Sequence, residues 1–392
     1  MRLLGLDKHT KMNTIRNIIE HQSRIIGLKA IDLFCGCGGL SAGLRDAGFE
    51  ILAGIDIEPN YIQTFTENFP DTLSLCADVS KVNSLELLER FNLRPGELDL
   101  LAGGPPCQGF SKNVPRSQRQ LDSENNTLVK TFLEHCEAML PKWILMENVA
   151  EMRNGFGQHY TDEIVERLTN AGYHVIHGVH NAADYGVPQR RRRAFFMARR
   201  DGIFPKEPEE THAKDATDDL FSTKKPHITV WDAISDLRPL EHGEGASPDC
   251  YYTEPQNDYQ AFIRNGCTET FNHVAKKLKP TQFERISSLE PGQGIKDLPD
   301  NLRPKGGYSG AYGRLTKDMI MPTITRWVFH AGSGRWGHPV DKRLITIREA
   351  ARLQGFKDSF KFVGSYTQQA GQLGNSVPPL LGKIMGEAFL SD

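Results

Sequence analysis

The run Gly103-Gly-Pro105-Pro106-Cys107-Gln-Gly-Phe-Ser111 sets a thiol directly behind two prolines, and Lys112, Arg116 and Arg119 follow within a few residues. A single cysteine is most often a small buried hydrophobe. Here the prolines fix the backbone before the thiol and keep it at the surface, while nearby positive charge favours the thiolate, the nucleophilic form. A second reactive group is Glu147, which with Asn148 and Val149 closes the apolar run Trp143-Ile-Leu-Met146. Such an acid could simply cap a helix; partly buried, its pKa would rise and suit it to holding or donating a proton. A third is Gln189-Arg190-Arg191-Arg192-Arg193. Arginine runs are by default solvated or phosphate-binding. In a strand, however, Arg191 and Arg193 share one face and can point at the same ligand.

The fourth is Asp32-Leu-Phe34-Cys-Gly36-Cys-Gly38-Gly39-Leu-Ser-Ala-Gly43, a strand running into a Gly-rich turn and a helix. Glycines there let a ligand approach the backbone. The turn could serve any nucleotide or only make a corner. Asp56, roughly 20 residues on, stands where an acid binds ribose hydroxyls in this fold class. Asp78, after the next strand, is placed to meet an adenine amino group. Cys35 and Cys37, one residue apart, face opposite ways on a strand and read as packing residues.

These groups must be positioned by regular elements. Apolar runs at 30–34, 51–56, 72–76, 98–102, 143–147, 174–180 and 194–198 alternate with helical patterns at 40–47, 61–68, 128–140 and 161–171. The alternation predicts an α/β fold with a mostly parallel sheet and helices on both faces, its ligands bound beyond the carboxyl ends of the strands. Beyond about residue 200 the chain is rich in Gly, Pro, Asp and aromatics without sustained periodicity, which predicts a second, irregular domain with some strands. Helical spacing returns between Gly374 and Leu390.

The chain has 392 residues, enough for two domains, and a net charge of −2 that hides strong clustering. Between Arg303 and Arg352 ten Lys and Arg face three acids, an excess of seven. Such a run is often a solvated face; as a phosphate-binding surface it would include Arg326 and Arg335. Seven cysteines without a CxxC pair fit a reducing compartment better than disulfides or structural zinc. No stretch is long enough to span a membrane, and the expectation is a soluble, cytoplasmic protein.

Taken in order, these motifs resemble those of the DNA cytosine C5-methyltransferase family, prokaryotic type. The resemblance resumes at Arg343-Leu-Ile-Thr-Ile-Arg348-Glu349-Ala-Ala-Arg352-Leu-Gln-Gly-Phe356, similar to the family's ninth motif, and at Gln372-Leu-Gly374-Asn375-Ser376-Val-Pro378-Pro379, similar to its tenth. It covers roughly 1–200 and 340–392. It implies a Rossmann-like S-adenosylmethionine-dependent sheet in residues 1–200 plus 370–392, and a smaller irregular target-recognition domain in 201–369. S-adenosyl-L-methionine would contact Phe34, Gly36, Gly38, Gly39, Asp56, Ile57, Asp78, Val79, Pro105, Asn375 and Ser376, leaving S-adenosyl-L-homocysteine. Ile57 stands where some members stack a tryptophan on adenine, so that contact should be aliphatic here. The implied catalytic residues are Cys107, Glu147, Arg191 and Arg193, acting on a cytosine turned out of double-stranded DNA. Ser111, Lys112, Arg116 and Arg119 would contact that DNA together with Arg326 and Arg335.

The implied setting is a restriction–modification system with a cognate endonuclease, and a monomer reading a short site. The closest rival is a tRNA cytosine C5-methyltransferase of the same fold. Its members typically read Pro-Phe-Thr after Pro-Pro-Cys-Gln, where this chain has Gly109-Phe110-Ser111. An inactive DNA-binding regulator on the same scaffold would have lost Cys107 or Glu147, and a small-molecule methyltransferase would need neither the Pro-Pro-Cys turn nor the ninth motif.

Overall fold

The computed structural model describes residues 27–106, 124–153, 158–214, 216, 223–306 and 309–391. Cys107, Ser111, Lys112, Arg116 and Arg119 therefore lie outside the described residues.

Seven strands form one sheet: β1 (Leu28–Leu33), β2 (Phe49–Asp56), β3 (Leu73–Cys76), β4 (Leu100–Gly103), β5 (Trp143–Val149), β6 (His174–Asn181) and β7 (Arg192–Arg199), in the order β3-β2-β1-β4-β5-β7-β6. The first five are parallel, and β7 pairs antiparallel with both β5 and β6. Each corresponds to one of the apolar runs read from the sequence. Central strands of such a sheet are covered on both faces, which is why they read as continuous apolar runs rather than alternating ones.

Alternation along each strand nevertheless sorts the core into two layers. Ile31, Leu33, Leu101, Ile144 and Met146 face Phe132 and Leu133 of α4 (Glu124–Met139) and Ile164 and Leu168 of α5 (Gln158–Asn170). Ala30, Leu100, Ala102 and Leu145 face Leu40 and Leu44 of α1 (Gly39–Asp46) and Leu381 and Met385 of α11 (Pro379–Glu387). Helix α2 (Pro59–Asn68) follows β2, and α3 (Ser84–Glu89), too short to show a helical period, lies between β3 and β4. Helix α11 packs so tightly on α1 that a β-carbon on Gly43 would lie 2.2 Å from the carbonyl oxygen of Pro379. The C-terminal segment is thereby brought against the Gly-rich turn.

Between β7 and α11 the chain forms two-residue strands and the short helices α6 (Val230–Ile234), α7 (Asp258–Arg264), α8 (Pro280–Ser287), α9 (Ile347–Leu353) and α10 (Tyr366–Asn375). Helices in this region were not legible as periodicity, because α6, α7 and α9 span only five to seven residues. The apolar layer beneath α1 and α11 runs without a break into Val230, Ile234, Ile263, Leu344 and Leu353.

Irregular backbone leaves many carbonyls without ladder partners, and buried arginines, each with five donors, supply them. Arg314 donates to the carbonyls of Leu289 and Val340 at 2.8 Å each. Arg343 bridges Asp341 and Glu349 at 2.7 Å each, and Glu349 closes a capping box with Thr346 at the start of α9. Arg352 bridges Asp358, at 2.6 Å, and Asp236. Arg348 donates to the carbonyls of Phe271 and Lys357 at 2.7 and 3.0 Å.

Candidate active site

The chemistry gathers at the carboxyl ends of β1, β2, β4 and β5. Topology places it there: β1 and β4 are neighbours whose connections run to opposite sides, leaving a crevice above the strand ends. The chain leaves β1 with Phe34 in the left-handed region (φ 60°), then Gly36 (φ 55°) and Gly38 (φ 98°). Gly38 caps α1. A β-carbon on Gly39 would sit 1.9 Å from the Ser376 hydroxyl, so the turn and the C-terminal segment meet only because that residue is glycine.

Asp56 organises the turn as well as facing it. One carboxylate oxygen accepts the Gly36 N–H and the other the Glu58 N–H, both at 2.9 Å. Beside it the Ile57 side chain is 62% exposed, an apolar surface held open at the rim. Asp78 accepts from the backbone N–H and hydroxyl of Ser80 at 3.0 and 2.7 Å and caps a single helical turn. The Val79 side chain is buried in the core, so a contact from this residue to a ligand would come from its backbone.

A cleft opens between this turn and the C-terminal segment, with Phe34, Gly36, Tyr61, Glu147, Asn375 and Ser376 among its walls. Asp32 also lines it. The Ser41 hydroxyl donates to one Asp32 oxygen at 2.5 Å, while the other oxygen is buried without a partner among the described residues. Burial drives the Asp32 pKa up to about 7. A buried acceptor lacking a donor at the floor of a Gly-lined cleft fits a ligand that brings a cationic or N–H donor group, as the amino-acid tail of S-adenosylmethionine does.

Glu147 joins the same cleft from the end of β5. Its Oε1 lies 2.8 Å from the Arg193 Nε in an ion pair, and its side chain is 13% exposed. Burial raises its pKa, and the Arg193 and Arg191 charges pull it part of the way back. A β-carbon on Gly104 would crowd Glu147 Oε2 at 3.2 Å, so glycine leaves that oxygen room. Asn148 donates to the Pro105 carbonyl at 2.9 Å, tying the proline turn to the end of β5. Asn148 and Gly104 were not singled out from the sequence as site residues. Nor was Tyr61, although its place five residues after Asp56, in the first turn of α2, was a usable signal.

Two arginine readings need correction. Arg191 is fully buried, and its guanidinium donates to the carbonyls of Ile324, Gly374 and Ser376 at 3.0, 3.0 and 2.9 Å. It lies one residue before β7, and these donors staple three chain segments instead of facing the cleft. The basic stretch is likewise internal in about half of its members. Of its ten cations, Arg314, Arg343, Arg348 and Arg352 are fully buried, and Arg335 donates to the carbonyls of Gly292 and Arg314 at 2.8 Å each. Arg303, Lys305, Lys317, Arg326 and Lys342 remain exposed, Arg326 lying over the Trp327 ring at 5.0 Å.

A Gly-lined crevice sharing one cleft with a buried carboxylate of raised pKa is the arrangement of a group-transfer enzyme of the doubly wound α/β class. The family model for C-5 cytosine-specific DNA methylases matches residues 28–391. The chain is 34% identical to the type II methyltransferase M1.HphI of Haemophilus parahaemolyticus over 93% of this chain and 87% of that protein. It is 32% identical to the type II methyltransferase M.AgeI of Thalassovita gelatinovora, over 92% and 99%. Among solved structures, a prophage-encoded DNA modification methyltransferase from E. coli superposes with a TM-score of 0.72 at 25% identity, covering 92% of this chain and 98% of that one. The chain belongs to the C-5 cytosine-specific DNA methylases, and is thus a DNA (cytosine-5-)-methyltransferase. Among the described residues no helix is long and apolar enough to cross a membrane.

Proposed function

We propose that this enzyme methylates C5 of a cytosine turned out of double-stranded DNA, with Cys107 as covalent nucleophile. The observation that carries the reading is the shared cleft: Glu147 and the Gly-rich turn open into one space, so a base held by the acid would meet a methyl donor held by the turn. S-adenosyl-L-methionine, when bound, supplies an electrophilic methyl group on sulfur and is left as S-adenosyl-L-homocysteine.

Cytosine C5 is a weak nucleophile. Addition of the Cys107 thiolate at C6 turns the ring into an enamine with charge at C5. Glu147 holds N3 and the exocyclic amine; its raised pKa suits it to share a proton there as charge develops. Arg193 orients that carboxylate and is suited to the cytosine O2. After C5 gains the methyl group it loses its proton to water, and the C6–S bond breaks to release Cys107. Arg191 acts at one remove, by holding Gly374 and Ser376 against the cleft.

The cofactor contacts assigned are Phe34, Gly36, Gly38, Gly39, Asp56, Ile57, Asp78, the backbone of Val79, Pro105, Asn375 and Ser376, with Asp32 added for the tail's ammonium. Residues 1–200 with 370–392 form the catalytic domain and 201–369 the target-recognition domain. Ser111, Lys112, Arg116 and Arg119, with Arg326, bind the DNA backbone. The similarity to type II methyltransferases supports a place beside a cognate endonuclease in a restriction–modification system; the reading is completed by a monomer acting in the cytoplasm.

The test is transfer of labelled methyl groups from S-adenosylmethionine to unmethylated genomic DNA, with tRNA in parallel, followed by bisulfite sequencing. Label in DNA at one recurring sequence is the expected result; label only in tRNA overturns it.

A further inference from the structure

Tyr61 projects from the first turn of α2 onto the cleft wall. A β-carbon on Gly36 would lie 3.9 Å from the Tyr61 ring, and the Gly36 N–H is held by Asp56. The ring and the Asp56 carboxylate therefore flank the same residue of the turn. The Tyr61 oxygen accepts an N–H from the Asn375 side chain at 2.8 Å, which fixes the direction of the phenol. Among the described residues its own O–H has no protein acceptor. Burial pushes the phenol pKa up to about 12, so the proton is in place at neutral pH.

We propose that Tyr61 is a cofactor-recognition residue whose O–H, aimed by Asn375, donates to a ribose hydroxyl of the bound nucleoside while Asp56 accepts from the same diol. The assignment rests on the S-adenosylmethionine reading above. Each hydroxyl of a vicinal diol both donates and accepts, so a rim presenting one fixed donor beside one carboxylate matches it. The cofactor's tail carboxylate fits less well, because Asp56 would repel it. Its place is the deeper end, near Ser376 and the N-terminus of α1.

The test is calorimetric binding to the full chain, with wild type and Tyr61→Phe, which keeps the ring and removes only the hydroxyl. The probes are S-adenosylhomocysteine and 5′-methylthioadenosine, which has the same ribose but no amino-acid tail. Both should bind about 3- to 10-fold more weakly to the variant, the size of one neutral hydrogen bond, with the ligand-free melting temperature unchanged. Unchanged affinities, or a lower melting temperature with unchanged affinities, would make Tyr61 a wall residue only. A loss confined to S-adenosylhomocysteine would move the contact to the tail and overturn the ribose assignment. Wild type binding neither probe would remove the cofactor reading, and this assignment with it. Asn375→Asp supplies a second check. Its carboxylate would capture the phenol proton, so affinity should fall when Tyr61 is intact and fall less in a chain that already carries Tyr61→Phe. Equal losses in the two backgrounds would mean that Asn375 does not act through the phenol.

Discussion

Arg193 pairs with Glu147 across the antiparallel pairing of β5 and β7, with Nε 2.8 Å from Oε1. The ion pair is almost wholly shielded from water, so its geometry and its charge balance are both set by the fold. Removing one partner of such a pair leaves the other charge uncompensated. The other carboxylate oxygen, Oε2, lies beside Gly104.

Glu147→Gln keeps the shape of that group and removes its ability to share a proton. Methyl transfer should fall by about 100-fold or more, the usual worth of a positioned acid or base, while DNA affinity changes by less than about 3-fold. Single-turnover transfer and equilibrium DNA binding measure the two separately. A larger effect on binding would make Glu147 a structural residue.

Asp32 gives a pH signature. Its pKa of about 7 in the folded chain lies above the ordinary 3.8, so ionising it opposes folding. The stability it contributes is complete below pH 4 and is lost as pH rises towards 7. Asp32→Asn should therefore flatten that decline, gaining a few kcal/mol (on the order of 2–4) relative to wild type at pH 8, measured by urea unfolding at pH 5 and pH 8 without ligand. S-adenosylhomocysteine, which carries an ammonium group, should bind wild type more tightly as pH rises through 7. The variant should lack that dependence.

Arg191→Met removes a buried cation from three backbone carbonyls. Leaving them unsatisfied should cost about 3 kcal/mol or more of stability, read from chemical denaturation. A variant of unchanged stability that has lost only turnover would return Arg191 to direct contact with the base.

Arg326 and Arg335 should separate. Arg326→Ala should lower the slope of log affinity against log salt by about 1, the signature of one phosphate contact. Arg335→Ala should leave the slope alone and lower the melting temperature, because its guanidinium is occupied by carbonyls. A slope equal to that of wild type in both variants would mean that neither residue touches DNA.

Ile57→Trp enlarges an apolar surface already open at the rim. Stacking on adenine should tighten S-adenosylhomocysteine binding by about 3- to 10-fold, measured by calorimetry. Weaker binding would show that the rim has no room for a ring.

By itself the sequence determined the sheet and the chemistry carried at its strand ends. The seven strands were legible because each is an apolar run of short length, and burial in a sheet depends on local composition. Asp56, Glu147 and the glycines of the turn were legible because they stand at the ends of those runs. The tertiary structure decided how the arginines are used. Arg191 and Arg193 are two residues apart and of one type, yet one is occupied by carbonyls from residues 324, 374 and 376 while the other holds Glu147. The excess of positive charge between Arg303 and Arg352 looked like a surface for a polyanion, but four of its members are stapled inside irregular backbone. Charge is countable from sequence; whether a guanidinium meets solvent, a carboxylate or a carbonyl depends on which distant segments fold around it. The pairing of Tyr61 with Asn375, 314 residues apart, is of the same kind: it exists only because α11 returns the C-terminal segment to the turn after β1.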